Sequence, residues 1–127
     1  MIALIGDVID AEKVLQNHAV LVEGGNTIRA VVPAEKLRKF GPDKVYGGNG
    51  FFVIPGLINA HTHVAMARFR GGLGEDMPTE EWLEKIIWPM ELEWTASEIR
   101  EWARIGIMEA LMNGSTAIND HYFSPTK

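Results

Sequence analysis

Residues 51–63 contain two apolar runs followed by two histidines and read Phe51-Phe52-Val53-Ile54-Pro55-Gly56-Leu57-Ile58-Asn59-Ala60-His61-Thr62-His63. The first run, residues 51–54, is continuously apolar, which is typical of a strand that is buried on both faces. The Pro-Gly pair interrupts the first run, and the second run leads directly into the histidines. We therefore predict a buried strand that presents His61 and His63 at its C-terminal end.

The spacing of the two histidines predicts a metal site. Residues i and i+2 of a strand point to the same face, so the imidazoles of His61 and His63 converge. Two neutral imidazoles suit Zn²⁺ or another borderline divalent ion. Parallel α/β sheets and barrels place their sites at the C-terminal ends of strands, which favours this interpretation over a chance pair.

Two histidines do not complete a hydrolytic zinc centre, which needs at least three protein ligands and a water. His121 follows a second predicted strand, residues 115–120, and either faces the same pocket or is a loop histidine without a ligand role. Asn119 and Asp120 have the same two interpretations. His18 is expected to be an ordinary exposed histidine.

The first fifty residues are typical of β-structure with tight turns. Two apolar runs around Gly24-Gly25-Asn26 predict a hairpin. Pro33 opens a short helix, which Gly41 ends, and a second turn is expected at Gly47–Gly50.

The second half alternates between loop, helix and strand. Residues 70–74 are expected to form a loop, and a helix follows Pro78 until Pro89 kinks or ends it. Thr95-Ala96-Ser97-Glu98 is a capping box for the next helix, which ends near Gly114. Together with the flanking strands, these helices indicate a βα unit that feeds a parallel sheet. The four tryptophans, all within residues 82–102, are expected to pack in the core.

Composition and charge exclude several classes of function. The 127 residues include 17 acidic and 12 basic side chains, for a net charge of −5, and no cysteine. Without a basic stripe, a nucleic-acid partner is not expected, and without cysteine there is no disulfide, thiolate zinc ligand or thiol nucleophile.

No apolar run approaches the roughly 18 residues of a membrane span, and no secretory signal is evident, so we expect a cytoplasmic protein without a membrane partner. The acidic stretch 75–109 is expected to be a solvated helix face.

Residues 53–63 resemble the opening strand of the amidohydrolase superfamily. Further segments resemble the branch that contains the 5-methylthioadenosine/S-adenosylhomocysteine deaminases and the triazine chlorohydrolases. These segments are Met66, Arg70-Gly71, Glu81-Trp82-Leu83, Trp88-Pro89 and Thr116–Phe123.

This resemblance implies an α/β fold, namely the N-terminal part of a metal-dependent hydrolase (β/α)₈ TIM barrel with a flanking composite β-sandwich. Residues 1–50 would form part of the sandwich and residues 51–127 the first two β/α units, so the barrel is incomplete in this chain. His61 and His63 match the first-strand metal ligands. Glu91 matches the carboxylate that binds ribose hydroxyls in the nucleoside deaminases, whereas without that match it would be one more surface carboxylate.

The activity implied by the resemblance is hydrolysis of C–N bonds other than peptide bonds. Such an enzyme would deaminate a purine nucleoside or a related amino-substituted heterocycle with metal-bound hydroxide. The metal would be Zn²⁺ or alternatively Fe²⁺. The later ligands and the acid–base groups would come from strands beyond residue 127, so no catalytic residue is identified and the chain is not expected to be active alone. Its expected partners are the small-molecule substrate and the remaining barrel segment or a second polypeptide, with a homo-oligomer as the complete form. The alternatives are a triazine-type chlorohydrolase and a non-catalytic remnant or interaction module.

Overall fold

The structure, a computed structural model, describes residues 1–71 and 76–122 and divides the chain into two units, Met1–Pro55 and Gly56–Lys127. This division falls five residues after the predicted boundary at residue 50, and the composite sandwich remains a prediction. Part of the loop expected at residues 70–74 lies outside the described residues.

The first unit is a four-stranded sheet of β1 (Ile2–Ile9), β2 (Val14–Glu23), β3 (Thr27–Pro33) and β4 (Lys44–Val53), in the order β3-β2-β1-β4. Neighbouring strands are antiparallel except for β1 and β4, which are parallel. The predicted hairpin joins β2 to β3, and the predicted short helix is a 3₁₀ helix, Ala34–Lys39, whose Leu37 joins the core of the sheet.

The turn expected at Gly47–Gly50 is wrong, because β4 runs through these residues as one bulged strand. Ile5 of β1 is paired with Gly47 and Asp7 with Phe52, so two steps along β1 match five along β4. A Cβ on Gly47 would lie 2.2 Å from the carbonyl oxygen of Ile5, and its φ of +85° favours glycine. The glycines therefore supply a bulge rather than a chain reversal.

A strand is confirmed at residues 51–53, but its predicted burial on both faces is wrong. Phe51–Val53 finish β4 in the first unit, and the side chains of Phe51 and Phe52 are 60% and 68% exposed. An apolar run does not specify which sheet it joins, and this one lies on the strand at the end of its sheet.

The second unit contains a parallel pair of strands, β5 (Leu57–Thr62) and β6 (Ser115–Asp120). The elements between them are a 3₁₀ helix (Val64–Phe69), α1 (Thr79–Trp82), a π turn (Leu83–Ile87), α2 (Trp88–Glu93) and α3 (Ala96–Met112). Because β5 and β6 are parallel, their C-terminal ends lie at the same edge. The predicted order of strand, helices and parallel strand is therefore confirmed.

The helix ends follow from local chemistry. Thr95 and Glu98 form the predicted capping box, with the Thr95 Oγ1 accepting from the Glu98 N–H and the Glu98 carboxylate accepting from the Thr95 N–H. Gly114, at φ +86°, directly follows the C-terminal cap of α3. Pro89 lies in the first turn of α2, directly after the π turn. The helix therefore continues through Pro89, and the turn before this residue is a π turn instead of an α-helical turn.

The core of the second unit lies beside the end of β5. Phe69 and Trp94 stack there with ring centroids 5.0 Å apart, and Gly106 lets α3 approach the backbone of Val64. The prediction that the tryptophans pack in the core holds for Trp94 and Trp82, whereas Trp88 is 46% exposed and Trp102 is half-buried outside the core cluster. Across residues 1–71 and 76–122, none of the helices has the length and apolar character needed to cross a bilayer.

Candidate functional site

The two predicted metal ligands meet at the C-terminal end of β5. His61 lies in the strand and His63 directly follows it, so the strand periodicity brings both rings to one side. Their Nε2 atoms are 3.1 Å apart and their ring planes are inclined by 83°. Both residues are exposed, which leaves the pair accessible to a metal ion and to solvent.

The end of β6 fixes the orientation of His63. The Nδ1 atom of His63 lies 2.5 Å from the carbonyl oxygen of His121. Because a carbonyl oxygen only accepts, Nδ1 carries the proton, and the neutral form of this imidazole therefore has its lone pair on Nε2. A backbone carbonyl that holds the far nitrogen of an imidazole is a common arrangement around metal-ligating histidines.

Further hydrogen bonds join the ends of the two strands. The N–H of His121 donates to the carbonyl oxygen of Thr62 at 2.8 Å, and the Asp120 carboxylate accepts from the N–H of Val64 at 2.8 Å. Within β5, the side-chain oxygen Oδ1 of Asn59 accepts from the N–H of His61 at 3.2 Å. Asp120 therefore binds the backbone beside the histidine pair. This contact depends on the pairing of β5 with β6, which the sequence motif does not encode.

The remaining two histidines have different surroundings. The ring of His121 stacks on that of His61, with centroids 4.6 Å apart and planes inclined by 28°. His121 thus shares the pocket, as one of its two interpretations expected. His18 lies in β2 of the first unit and contacts the carbonyl oxygen of Gln16 through Nδ1 at 2.7 Å.

A cavity of about 310 Å³ opens beside His63 and His121. One part of its wall is polar, formed by these histidines together with Glu91 and Tyr122. The rest of the wall is largely apolar and comprises Met66, Thr79, Trp82, Leu83, Ile87 and Trp88. A few polar groups in an apolar cleft are typical of sites for small organic ligands.

Glu91 is buried, with 5% of its surface exposed, so it is not a surface carboxylate. Burial raises the pKa of this carboxyl, while the hydrogen bond with the Tyr122 hydroxyl and the nearby charge of His63 act in the opposite direction. Burial also raises the pKa of the Tyr122 phenol, and its contact with Glu91 adds to that shift. No sequence signal links residue 91 to residue 122, and Tyr122 was not predicted as a site residue.

The donor set fits a divalent metal only in part. Among the residues that the structure describes, no group of three His, Cys, Asp or Glu side chains is placed to hold an ion. The His61–His63 separation of 3.1 Å nevertheless approaches the roughly 3.3 Å that two nitrogens take on a tetrahedral zinc with bonds of about 2.0–2.1 Å. The spacing of the two nitrogens therefore fits two ligands of such a site.

Comparison with known proteins finds one matching family and several similar proteins. The model of the family described as "Amidohydrolase family" matches residues 52–127. A 5-methylthioadenosine/S-adenosylhomocysteine deaminase of Haloarcula marismortui is 48% identical over 83 residues, which are 65% of this chain and 19% of the relative.

Two solved structures are also similar. A zinc-bound adenosine deaminase of Xanthomonas campestris is 34% identical with a TM-score of 0.85, over 97% of this chain and 29% of the other. A zinc complex of the atrazine chlorohydrolase of Arthrobacter aurescens TC1 is 28% identical with a TM-score of 0.76, over 94% and 28%. The chain thus spans between a fifth and three-tenths of the length of these relatives.

Proposed function

The chain belongs to the amidohydrolase family, and we propose that it contributes the first metal ligands and part of the substrate pocket to an enzyme that hydrolytically deaminates a purine nucleoside or a related amino-substituted heterocycle. The observation that carries this proposal is the convergence of His61 and His63 at the end of β5, beside a cavity with a buried carboxylate. The deaminases among the similar proteins support the choice of reaction.

In this proposal each residue has a defined task. His61 and His63 hold the metal through Nε2, and the carbonyl oxygen of His121 keeps the Nε2 of His63 available. When bound, the metal supplies Lewis-acid activation of water for attack on the ring carbon that bears the amino group. We propose zinc because the two similar structures described above contain it.

The substrate would enter the cavity beside the histidines. The wall that Trp82 and Trp88 help to form would pack against a flat heterocycle and exclude water, and Glu91 would accept hydrogen bonds from two neighbouring hydroxyls of a ribose. Burial disfavours the charged form of the Glu91 carboxyl. Hydrogen bonds that ribose hydroxyls donate to its carboxylate would therefore be stronger than the same bonds at an exposed carboxylate.

The site remains incomplete without further protein ligands. We propose that later strands of the barrel supply them, in the same polypeptide or in a second one, and that the complete enzyme is a homo-oligomer. Ammonia release should then require both this chain and the segment that carries the later strands.

A triazine-type chlorohydrolase is the second candidate, and the similarity to the atrazine chlorohydrolase favours it. The same histidine pair would serve both reactions because only the leaving group differs. The higher identity to the deaminase, 48% against 28%, favours deamination.

The test is to express the chain alone and together with a segment that carries the later barrel strands of a relative. Ammonia release is measured with adenosine and 5-methylthioadenosine, and chloride release with atrazine. We expect ammonia release from the nucleosides with both segments only, and a loss of at least about 100-fold in His61→Ala and His63→Ala. His18→Ala is the matched control and should keep the rate of the unmodified protein.

Three results would contradict the proposal. Chloride release without ammonia release would select the chlorohydrolase. Folded, associated segments that release neither product would favour a non-catalytic interaction module. Unchanged ammonia release in His61→Ala would remove the histidine pair from the mechanism.

A further inference from the structure

His121 lies at the site, and neither the family resemblance nor the predicted ligand pair assigns it a role. It follows β6, and its N–H donates to the carbonyl oxygen of Thr62, which lies between His61 and His63 in the sequence. Its carbonyl oxygen accepts from Nδ1 of His63, and its ring lies on the ring of His61. The residue that directly follows β6 therefore contacts both members of the pair.

The two members of the pair are held by different means. His63 has a directional hydrogen bond to a backbone carbonyl, which remains whatever side chain residue 121 carries. The His61 ring contacts the Nε2 of His63 and lies nearly parallel to the His121 ring, with centroids 4.6 Å apart. Since His61 is exposed, its ring would otherwise sample several rotamers, and each alternative rotamer would separate the two Nε2 atoms.

We propose that the imidazole of His121 is a positioning residue that stacks on His61 and preorganises the metal-binding pair. This inference rests on the proposed metal role of His61 and His63 and deepens it. Stacked aromatic rings contribute a modest but measurable free energy beyond the apolar area that they bury. A ligand held in its binding rotamer before the metal arrives loses less conformational entropy on binding.

The geometry also separates this role from direct ligation. The rings of His63 and His121 are farther apart, at 6.3 Å between centroids, and within the described parts of the chain no three side chains are arranged as a metal-binding group. A stacking role requires a flat ring at position 121 but no nitrogen. A ligand role requires the nitrogen.

Two substitutions distinguish these roles. His121→Phe keeps a flat ring and removes the nitrogens, whereas His121→Ala removes the ring, and both keep the backbone carbonyl that holds His63. The affinity of the full 127-residue chain for Zn²⁺ alone is measured by competition with a fluorescent zinc indicator. The His61→Ala/His63→Ala double variant gives the background, and His18→Ala is the matched control.

We expect zinc affinity to fall by roughly three- to tenfold in His121→Ala, and to stay within about twofold of the unmodified chain in His121→Phe and His18→Ala. Equal affinity in His121→Ala and the unmodified chain would overturn the inference. A loss in His121→Phe as large as that in His121→Ala would also overturn it and would make His121 a ligand.

A second measurement on the metal-free chain keeps this inference separate from the proposed function. Nuclear Overhauser effects between the rings of residues 61 and 121 and the χ1 coupling constants of His61 report the stacking directly. We expect one dominant His61 rotamer in the unmodified chain and in His121→Phe, and averaged rotamers in His121→Ala. If His61 is ordered by His121 but zinc binding equals the background, the metal role of the pair fails while the stacking stands; averaged rotamers in the unmodified chain would overturn the stacking itself.

Discussion

At the scale of single residues, the site depends on contacts between positions that are far apart in the chain. Strand periodicity alone predicted that His61 and His63 share a face, and the structure confirms this. The bond from His63 to the carbonyl of His121 and the contact of Glu91 with Tyr122 could not be predicted in the same way. Both arise from the pairing of β5 with β6 and from the packing of α2, and no local pattern encodes either.

The substitution Glu91→Gln tests the role of the buried carboxylate. A neutral amide accepts weaker hydrogen bonds from ribose hydroxyls than a carboxylate does, and a hydrogen bond to a charged group contributes about 1.5–3 kcal/mol. In the assembled enzyme we therefore expect KM for adenosine to rise by roughly 10- to 100-fold with a smaller change in kcat.

The exposed Glu93, two residues away, provides the matched control, and Glu93→Gln should leave KM unchanged. A 2′,3′-dideoxynucleoside lacks the hydroxyls and should be bound equally by Glu91→Gln and the unmodified enzyme. An equal loss of affinity for both substrates would assign Glu91 to the structure of the pocket instead.

At the scale of elements, short-range chemistry was predicted well and sheet membership was not. The hairpin at Gly24-Gly25-Asn26 and the capping box of α3 each depend on a few neighbouring residues, and both are confirmed. Gly47–Gly50 has the composition of a turn but forms a bulge, because β1 supplies a partner on both sides of it. The turn residues fix the local backbone, whereas the partner strand decides whether the chain reverses.

Thr95→Ala should destabilise the second unit through the N-terminus of α3. The substitution leaves the N–H of Glu98 without its side-chain acceptor, and loss of such a cap costs about 1 kcal/mol. Chemical denaturation of the chain, followed by circular dichroism, measures this change. Ser97→Ala in the same first turn is the control, and equal stabilities of the two variants would show that the cap contributes nothing.

The capping box also predicts a pH dependence. The N–H of Thr95 is the main cause of the lowered pKa of Glu98, followed by the Thr95 hydroxyl and Arg68. Because the pKa is lower in the folded state, the ionised carboxylate stabilises the fold above the ordinary value of 4.5, and this contribution is lost as the pH falls through the folded-state value.

Glu98→Gln removes the titration, so its destabilisation relative to the unmodified chain should be present at pH 7 and should shrink below about pH 4.5. Unfolding midpoints at several pH values provide the comparison. A difference that stays constant from pH 7 to pH 3 would contradict the predicted role of the Glu98 charge.

At the scale of the whole molecule, the chain belongs to the amidohydrolase family and is similar to about three-tenths of the length of two solved structures, as the resemblance implied. Each unit also exposes large apolar side chains, including Phe52 at 68% in the first and Ile58 and Met112 at 76% and 84% in the second. Apolar surface of this kind favours association with another protein surface. The exposed backbone of unpaired strand edges adds to that tendency.

We therefore expect the isolated 127-residue chain to self-associate. Light scattering over a range of concentrations should give a mass that rises with concentration, and Ile58→Ser or Met112→Ser should reduce the association. A monomeric mass that is independent of concentration, together with cooperative unfolding, would contradict this expectation.

We propose that His61 and His63 together bind the metal. X-ray absorption at the zinc edge, on the chain assembled with the later barrel strands of a relative, measures this ligation. We predict first-shell nitrogen scatterers at about 2.0–2.1 Å with the outer-shell signature of imidazole. That signature should decrease by two rings in the His61→Ala/His63→Ala variant, whereas a zinc spectrum unchanged by the double substitution would contradict the claim.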